Sequence, residues 1–303
     1  MIRHRDTPAL GPAVALIGSM LLWSTAFVAM KIAVTGMHPL LAMSGRMLVA
    51  VLVIVPLAAR FRHCAAVYLP GDWRLLGIMV LCEPCLFFVF ESYALTLTTG
   101  AQASMIVALL PVMVLVGARL TLGETVSLRT AVGIGTAVVG ALWLTMASPG
   151  AVADAPNPLL GNFLEVLAIL CAVGSTLAVK RLTSRYSPHF LTGIQAVGGA
   201  LFFLPLSLVM TGPEDMAAVT FNSVLAVIYL GVVITLGAYG LWNFAVSRLP
   251  AGKASAATNL VPVFSVFFCF LFLGERFTGQ QFLGAGTVLV GVFLTRAWKR
   301  SVT

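Results

Sequence analysis

Long apolar runs alternate with short polar turns along the chain. Each run holds about 20 residues, the length of a helix that crosses the hydrocarbon core of a bilayer. The turns between the runs carry proline, glycine or charged residues. The expected fold class is therefore an all-α integral membrane protein with ten transmembrane helices. The pattern predicts these spans near residues 11–30, 39–59, 75–95, 101–120, 128–147, 160–179, 190–210, 223–243, 254–273 and 278–297.

The two halves of the chain repeat one another. Shifted by 151 residues, the sequence overlays itself without a gap from residue 94 to residue 144, so that Pro111 falls on Pro262. The Leu-Gly-Glu triplets ending at Glu124 and Glu275 also coincide, and each glutamate is expected to cap the helix that follows it. Each half holds five spans, an odd number, so the second half should cross the membrane in the opposite orientation. We expect two five-helix inverted repeats around a central cavity, at residues 1–150 and 158–303, joined by a linker at 151–157.

Composition and charge support a membrane location. Apolar residues make up 60% of the chain and charged residues only 9%, whereas a soluble domain has about 25% charged residues. The net charge is +8, but its distribution argues against a nucleic-acid partner. With both termini in the cytoplasm, 15 of the 18 Lys and Arg residues lie in cytoplasmic segments, as the positive-inside rule requires. The basic charge therefore indicates topology, and lipid is the expected partner of the outer surface.

The sequence disfavours an enzyme. The predicted spans contain no aspartate, and the four histidines lie at helix ends or in loops, so a buried catalytic pair is not expected. No G-x-x-x-x-G-K-[ST] loop occurs, so the chain should not use ATP by itself. The C-x-x-C pair of Cys82 and Cys85 lies inside a span without a second pair, so we expect neither a metal nor a cofactor. A channel is the alternative to a transporter, because a single chain without a repeated filter motif can still form a pore.

Several charged residues fall inside the predicted spans, where charge is costly and usually faces a cavity or a partner. Arg46 is either an anchor for an anionic group of the substrate or a member of a structural ion pair near the outer boundary. Glu83 and Glu91 are candidates for binding substrate or a proton, because removal from water favours the neutral form of a carboxyl group; the alternative is a hydrogen bond to backbone or arginine. They lie about 80° apart around a straight helix, and Pro84 predicts a bend between them. Glu165, near the start of the sixth span, is expected close to water.

Aromatic and amide side chains at similar depth complete the candidate site. Tyr and Trp either line a pocket that is partly polar and partly apolar or anchor the membrane interface. Asn259 places an amide at the midplane, where its repeat partner is Ala108. Pro111 and Pro262 are candidate hinges for alternating access, or static kinks, because a proline frees a carbonyl one turn earlier. The predicted substrate-binding residues are Trp23, Arg46, Glu91, Tyr93, Tyr239, Trp242 and Asn259, and the predicted proton-coupling residues are Glu83 and Glu91.

An ordered set of motifs, present in both halves, resembles the ten-helix EamA-type exporters of the drug/metabolite transporter superfamily. The set includes Trp23-Ser24-Thr25 and Arg46, Ala103-Ser104 with Pro111, and Leu122-Gly123-Glu124; the second half carries Leu230-Gly231, Tyr239, Trp242, Ala254-Ser255, Pro262 and Leu273-Gly274-Glu275. The resemblance implies a basket formed by spans 1–4 and 6–9, braced from outside by spans 5 and 10. It also implies secondary transport, with amino acids or other metabolites exported across a bacterial inner membrane. Gly174-Ser175-Thr176 departs from the pattern, since many relatives carry a tryptophan there.

Overall fold

The computed structural model describes residues 10–60, 69–122, 128–147, 155–249, 257–258, 260–276 and 278–295. These residues are helical almost throughout and form no β-strand within those ranges. The helices are α1 (Leu10–Gly36), α2 (Pro39–Arg60), α3 (Asp72–Leu97), α4 (100–122), α5 (Leu128–Met146), α6 (Pro158–Leu182), α7 (Pro188–Met210), the short α8 (Pro213–Ala217), α9 (Phe221–Arg248), α10 (Leu260–Leu273) and α11 (Gly279–Thr295).

The helices are those of a multi-pass membrane protein. Within the described ranges, six helices are long and apolar enough to cross a bilayer, namely α1, α2, α3, α6, α7 and α9, while α4 and α10 contain shorter apolar stretches. Large apolar side chains face outwards, and Leu208, Val209 and Phe221 are each at least 75% exposed. Apolar surface of this extent requires lipid as its solvent. The total of ten spans stays a prediction.

Two of the long helices are interrupted near their middle. In α3, residues Leu81–Leu86 form a wide, π-helical turn in which Glu83 has an extended backbone (φ −148°, ψ 114°). Pro84 follows without an N–H to donate, so the bend predicted from the sequence is confirmed. In α9 the wide turn runs from Leu230 to Ala238. Such turns occur frequently at functional sites.

Two lysines hold the ends of these interrupted helices. Lys31 Nζ, on α1, donates to the carbonyl oxygens of Leu95 and Thr98 at the end of α3, both at 2.8 Å. Lys180 Nζ, on α6, donates at 2.9 and 3.0 Å to the carbonyls of Val246 and Leu249 at the end of α9. A cation stabilises a helix C-terminus because it binds unpaired carbonyls and opposes the helix dipole. The accepting carbonyls of the two lysines are related by the 151-residue shift.

The helices α5 and α11 pack against each other through glycine. A Cβ atom added to Gly140 would clash with the backbone of α11 at Gly284 and Val288, and one added to Gly291 would clash with α5 at Gly133 and Ala137. Small residues let helix backbones approach closely in lipid. The two sets of contacts correspond residue by residue under the 151-residue shift. This helix pair therefore has local two-fold symmetry.

Glu275 caps a different helix from the one expected. Its carboxylate accepts hydrogen bonds from the backbone N–H groups of Gly100 and Ala101, at 2.9 and 2.8 Å, at the beginning of α4. The prediction that it caps the following helix is wrong, because α10 packs along α4 and brings its C-terminal end to the α4 N-terminus. Its repeat partner Glu124 lies outside the described residues.

Candidate functional site

A cavity lies between the helices in the middle of the molecule. Its empty space, including the open space at its mouth, is about 670 Å³. Its lining residues come from α1, α2, α3, α4, α6, α9 and α10, together with Thr258. None of the lining residues belongs to α5 or α11 in the described part of the chain. The two glycine-packed helices therefore stand outside the cavity wall.

One wall of the cavity is aromatic. The ring of Trp23 lies 5.2 Å from that of Tyr239 and 5.1 Å from that of Trp242, measured between centroids. Phe88 makes an edge contact with Tyr239 at 6.2 Å. The indole N–H of Trp23 is buried and has no acceptor among the described residues. The wall thus presents broad apolar faces and one available hydrogen-bond donor.

Arg46 carries the positive charge of the cavity wall. The side chain is 1% exposed, its Nε donates to Thr235 Oγ1 at 2.8 Å, and its guanidinium lies 3.9 Å from the ring centre of Phe88. Within the described ranges no carboxylate lies within 4 Å of it. Thr235 is available because it lies in the wide turn of α9, where its hydroxyl also donates to the carbonyl of Leu230 at 2.9 Å. Arg46 is therefore held by neutral partners and a ring, with a charge that no ion pair in this region neutralises.

Glu83 and Glu91 line the same cavity. The hydroxyl of Tyr239 donates to Glu83 Oε1 at 2.7 Å, and Gln195 Nε2 donates to the backbone carbonyl of Glu83 at 3.2 Å. The angle of about 80° expected between the two carboxyl groups assumes a straight helix. The wide turn at Leu81–Leu86 changes the helix phase between them, so both reach the cavity.

Glu165 is buried, although the sequence analysis placed it close to water. It is the eighth residue of α6, its side chain is fully buried, and neither carboxyl oxygen has a donor among the described residues. The cavity-lining residues of α6 are Ile169, Ala172 and Thr176, and their spacing from Glu165 follows one helix face. Glu165 and Thr176 are the polar members of this face, and their helical spacing in the sequence is the signal that could have revealed it.

A smaller space of about 240 Å³ adjoins the cavity and shares Glu83, Phe88 and Tyr239 with it. Here α7 contributes Thr192 and Gln195. Asn243 Nδ2 donates to Thr192 Oγ1 at 2.9 Å and to Gln195 Oε1 at 3.3 Å. A buried network of neutral polar groups therefore continues from Glu83 towards α7 and the last turns of α9.

The structure does not place the other predicted site residues in the cavity wall. Tyr93 is not among the cavity-lining residues, and its ring packs 6.2 Å from that of His38. Asn259 lies outside the described residues. Pro111 follows a 3-10 turn at Val107–Leu109, whereas Pro262 is the third residue of α10, where a proline breaks no helical hydrogen bond. The predicted roles of these four residues stay predictions.

The fold and the cavity together define a class of protein. Helices that cross a membrane and surround a buried cavity with charged and aromatic walls are the arrangement of membrane transporters. A profile of the EamA-like transporter family matches residues 11–146 and again residues 159–297. The chain belongs to the EamA-like transporter family, whose members are transporters and not enzymes.

Individual relatives agree with this assignment. The chain is 26% identical over 286 residues to the uncharacterized transporter YetK of Bacillus subtilis, covering 94% of this chain and 87% of that protein. It is 25% identical over 298 residues to a probable amino-acid metabolite efflux pump of Escherichia coli, covering 93% and 95%. A crystal structure with 18% sequence identity superposes with a TM-score of 0.65 over 93% of this chain and 98% of the other, so the fold is shared.

Proposed function

We propose that this protein is a secondary transporter of the drug/metabolite type, which exports amino acids or related small metabolites by alternating access. The observation that carries the proposal is the cavity, which combines both signs of charge with an aromatic wall. Membership of a transporter family and the name of the Escherichia coli relative support the same substrate class.

The walls of the cavity suit a zwitterion. The carboxylate of an amino acid would meet the guanidinium of Arg46 and the indole N–H of Trp23, since both are donors. Its ammonium group would meet Glu91, and its side chain would lie against Tyr239 and Trp242. Arginine suits this role because its planar group stays charged and matches the geometry of a carboxylate. Tyr93 and Asn259 remain proposed members of the site, and Pro111 and Pro262 remain proposed hinges.

For the whole chain we propose ten spans arranged as two inverted repeats, at residues 1–150 and 158–303. Three observations support this arrangement. The family profile matches twice over similar lengths. The backbone carbonyls that accept from the two lysines, and the reciprocal glycine contacts, are each related by the 151-residue shift. The placement of basic residues supports a cell membrane location with both termini in the cytoplasm.

Counterflow in proteoliposomes tests the function. Vesicles containing the purified chain would be loaded with one unlabelled amino acid from a panel and diluted into the same labelled amino acid. A carrier is expected to accumulate label transiently inside and to saturate with concentration, because the unlabelled substrate carries the site to the outer face as it leaves. A flux that rises linearly with concentration, without an overshoot, would instead identify a channel. Empty liposomes serve as the control.

A further inference from the structure

We propose that Glu165 and Glu91 form one proton-binding site, shared between α6 and α3, and that the proton bound there is the coupling ion of transport. The proposal rests on the proposed transport function and adds the coupling ion and a residue that reasoning from the sequence placed near water. Four observations carry it: the burial of Glu165, the register of two helices, the charges around the pair and a neighbouring polar cluster.

The first observation is that Glu165 has no hydrogen-bond donor. Its side chain is fully buried, and both carboxyl oxygens lack a partner among the described residues. A buried carboxylate without donors carries a large desolvation cost, whereas a protonated carboxyl group is neutral and brings its own donor. A proton is the smallest ligand that removes this cost. The described residues hold no group of three His, Cys, Asp or Glu side chains suited to a metal ion.

The register of α3 and α6 brings Glu91 to the same depth. A Cβ atom added to Gly161 would lie 3.0 Å from the backbone oxygen of Ala94, and one added to Gly174 would lie 2.9 Å from Cys82 Sγ. These contacts show that the two helices run antiparallel in close contact. Glu165 lies four residues along α6 from Gly161, and Glu91 lies three residues back along α3 from Ala94, so the two carboxyl groups are level.

The charges around Glu165 favour sharing of a proton. From α3, Glu91 lies level with it, and Glu83 lies further along the same helix. From α9 the nearby titratable group is Tyr239, which donates to Glu83. The described residues of α4 that face α6 contribute Gln102 but no charge. The cations Arg46 on α2 and Lys31 on α1 are bonded to Thr235 and to the end of α3. Ionising two neighbouring carboxyl groups in a low-dielectric site has a high free-energy cost, so the pair is expected to keep one proton that the two groups share.

A polar cluster lies one turn beyond the pair, on the side away from the cavity. Thr98 Oγ1 lies 2.9 Å from both Gln102 Oε1 and Asn162 Oδ1, and all three side chains are at most 3% exposed. Asn162 is on α6, one turn before Glu165, and Thr98 ends α3. Hydroxyl and amide groups both donate and accept hydrogen bonds. The cluster therefore offers a route for a proton between the pair and the membrane face at which α3 ends, while Glu91 borders the substrate cavity.

Infrared difference spectroscopy of the purified chain in lipid vesicles tests proton binding without any substrate. At about pH 7, where ordinary Asp and Glu are ionised, the wild type is expected to show the carbonyl band of a protonated carboxyl group. Glu165→Gln should remove this band and Glu91→Gln should shift it, whereas Glu214→Gln, at an exposed carboxylate, should leave it unchanged. If Glu165→Gln does not fold, Glu165→Asp can be measured in its place. It keeps a carboxyl group and should therefore show a shifted band. A wild type without the band, or a band that survives Glu165→Gln, overturns the proposal.

Transport measurements separate this proposal from the proposed function. With an amino acid that shows counterflow, a gradient of about two pH units should drive up to about 100-fold accumulation per coupled proton. Glu165→Gln should abolish this accumulation and retain counterflow, which needs no proton movement. If the variant still accumulates substrate against its gradient, the coupling role is wrong while the transporter assignment stands. If the wild type shows the infrared band but moves no amino acid of the panel, the proton site stands and the substrate class is wrong.

Discussion

Arg46 and Glu83 are ionisable side chains that neutral partners hold in the cavity wall. Thr235 accepts from Arg46 and Tyr239 donates to Glu83, and both partners come from the wide turn of α9 or the residue directly after it. Because neither side chain forms an ion pair in the described ranges, each remains available to a ligand. The geometry of the wide turn therefore fixes the positions of both charges.

Arg46→Gln should weaken substrate binding. Hydrogen bonds to a charged group contribute about 1.5–3 kcal/mol, so the KM for counterflow should rise by roughly 10- to 100-fold, with folded protein still present in the membrane. The matched control is Arg74→Gln, because Arg74 is exposed and stacks on Trp73 away from the cavity. Equal KM values in the two variants would remove Arg46 from the binding site.

Tyr239→Phe tests the hydroxyl that supports Glu83. The substitution keeps the aromatic wall but removes the donor at 2.7 Å, which should lower both transport rate and thermal stability. The loss of a buried partner costs about 1–3 kcal/mol. Tyr186→Phe is the control, since its hydroxyl donates at 3.0 Å to Asp72 near the other end of α3 and lies outside the cavity. We expect it to lower the melting temperature without lowering the transport rate of the folded fraction; transport reduced equally in both variants would contradict a local role for Tyr239.

At the scale of the elements, the helices divide into interrupted and continuous ones. The helices α3 and α9 change their hydrogen-bond pattern where they border the cavity. The described helices α5 and α11 are regular and meet through their glycine faces, away from the cavity. Regular helices in close contact form a rigid support, whereas a wide turn weakens a helix locally and frees backbone groups. We therefore expect conformational change at α3 and α9, with α5 and α11 moving little.

Gly140→Val should destabilise the protein, because its side chain would meet the backbone of α11, which cannot move aside as a flexible side chain can. Overpacking of this kind costs about 1–3 kcal/mol. The matched control is Gly135→Val on the same helix, where a Cβ atom meets nothing within 4 Å. Thermal unfolding in detergent, followed by size-exclusion chromatography of heated samples, should separate the two variants. Equal melting temperatures would show that the α5–α11 contact contributes little to stability.

At the scale of the whole molecule, the proposed orientation predicts which surfaces can be labelled. Both termini in the cytoplasm place the short helix α8 with Glu214 outside and the turn at Ser184 inside, and both positions are exposed. A membrane-impermeant maleimide added to intact cells should label Glu214→Cys above the background of the native cysteines and should not label Ser184→Cys. Labelling of Ser184→Cys alone would reverse the orientation, and labelling of both would contradict the assigned spans.

Much of this architecture could be predicted from the sequence, because lipid leaves few options for backbone polar groups and long apolar runs must become helices. The family resemblance also identified Trp23, Tyr239 and Trp242, which share one wall. The partner of Glu275 could not be predicted, because it depends on which helix ends meet in space. The wide turn of α9 could not be predicted either, because it contains no proline, whereas Pro84 marks the bend in α3. The burial of Glu165 could not be predicted from its position near the start of the sixth span, because distance along a helix does not determine how exposed a side chain is.

The contact between α5 and α11 also constrains how the protein is made. The glycine face of α5 is synthesised in the first half of the chain, yet its partner α11 is the last described helix. Until that helix leaves the ribosome and enters the bilayer, the face of α5 can only meet lipid or another protein. Release from biogenesis therefore depends on α11, and chains truncated before Gly279 are expected to be retained by membrane chaperones and degraded rather than accumulate as half-active transporters.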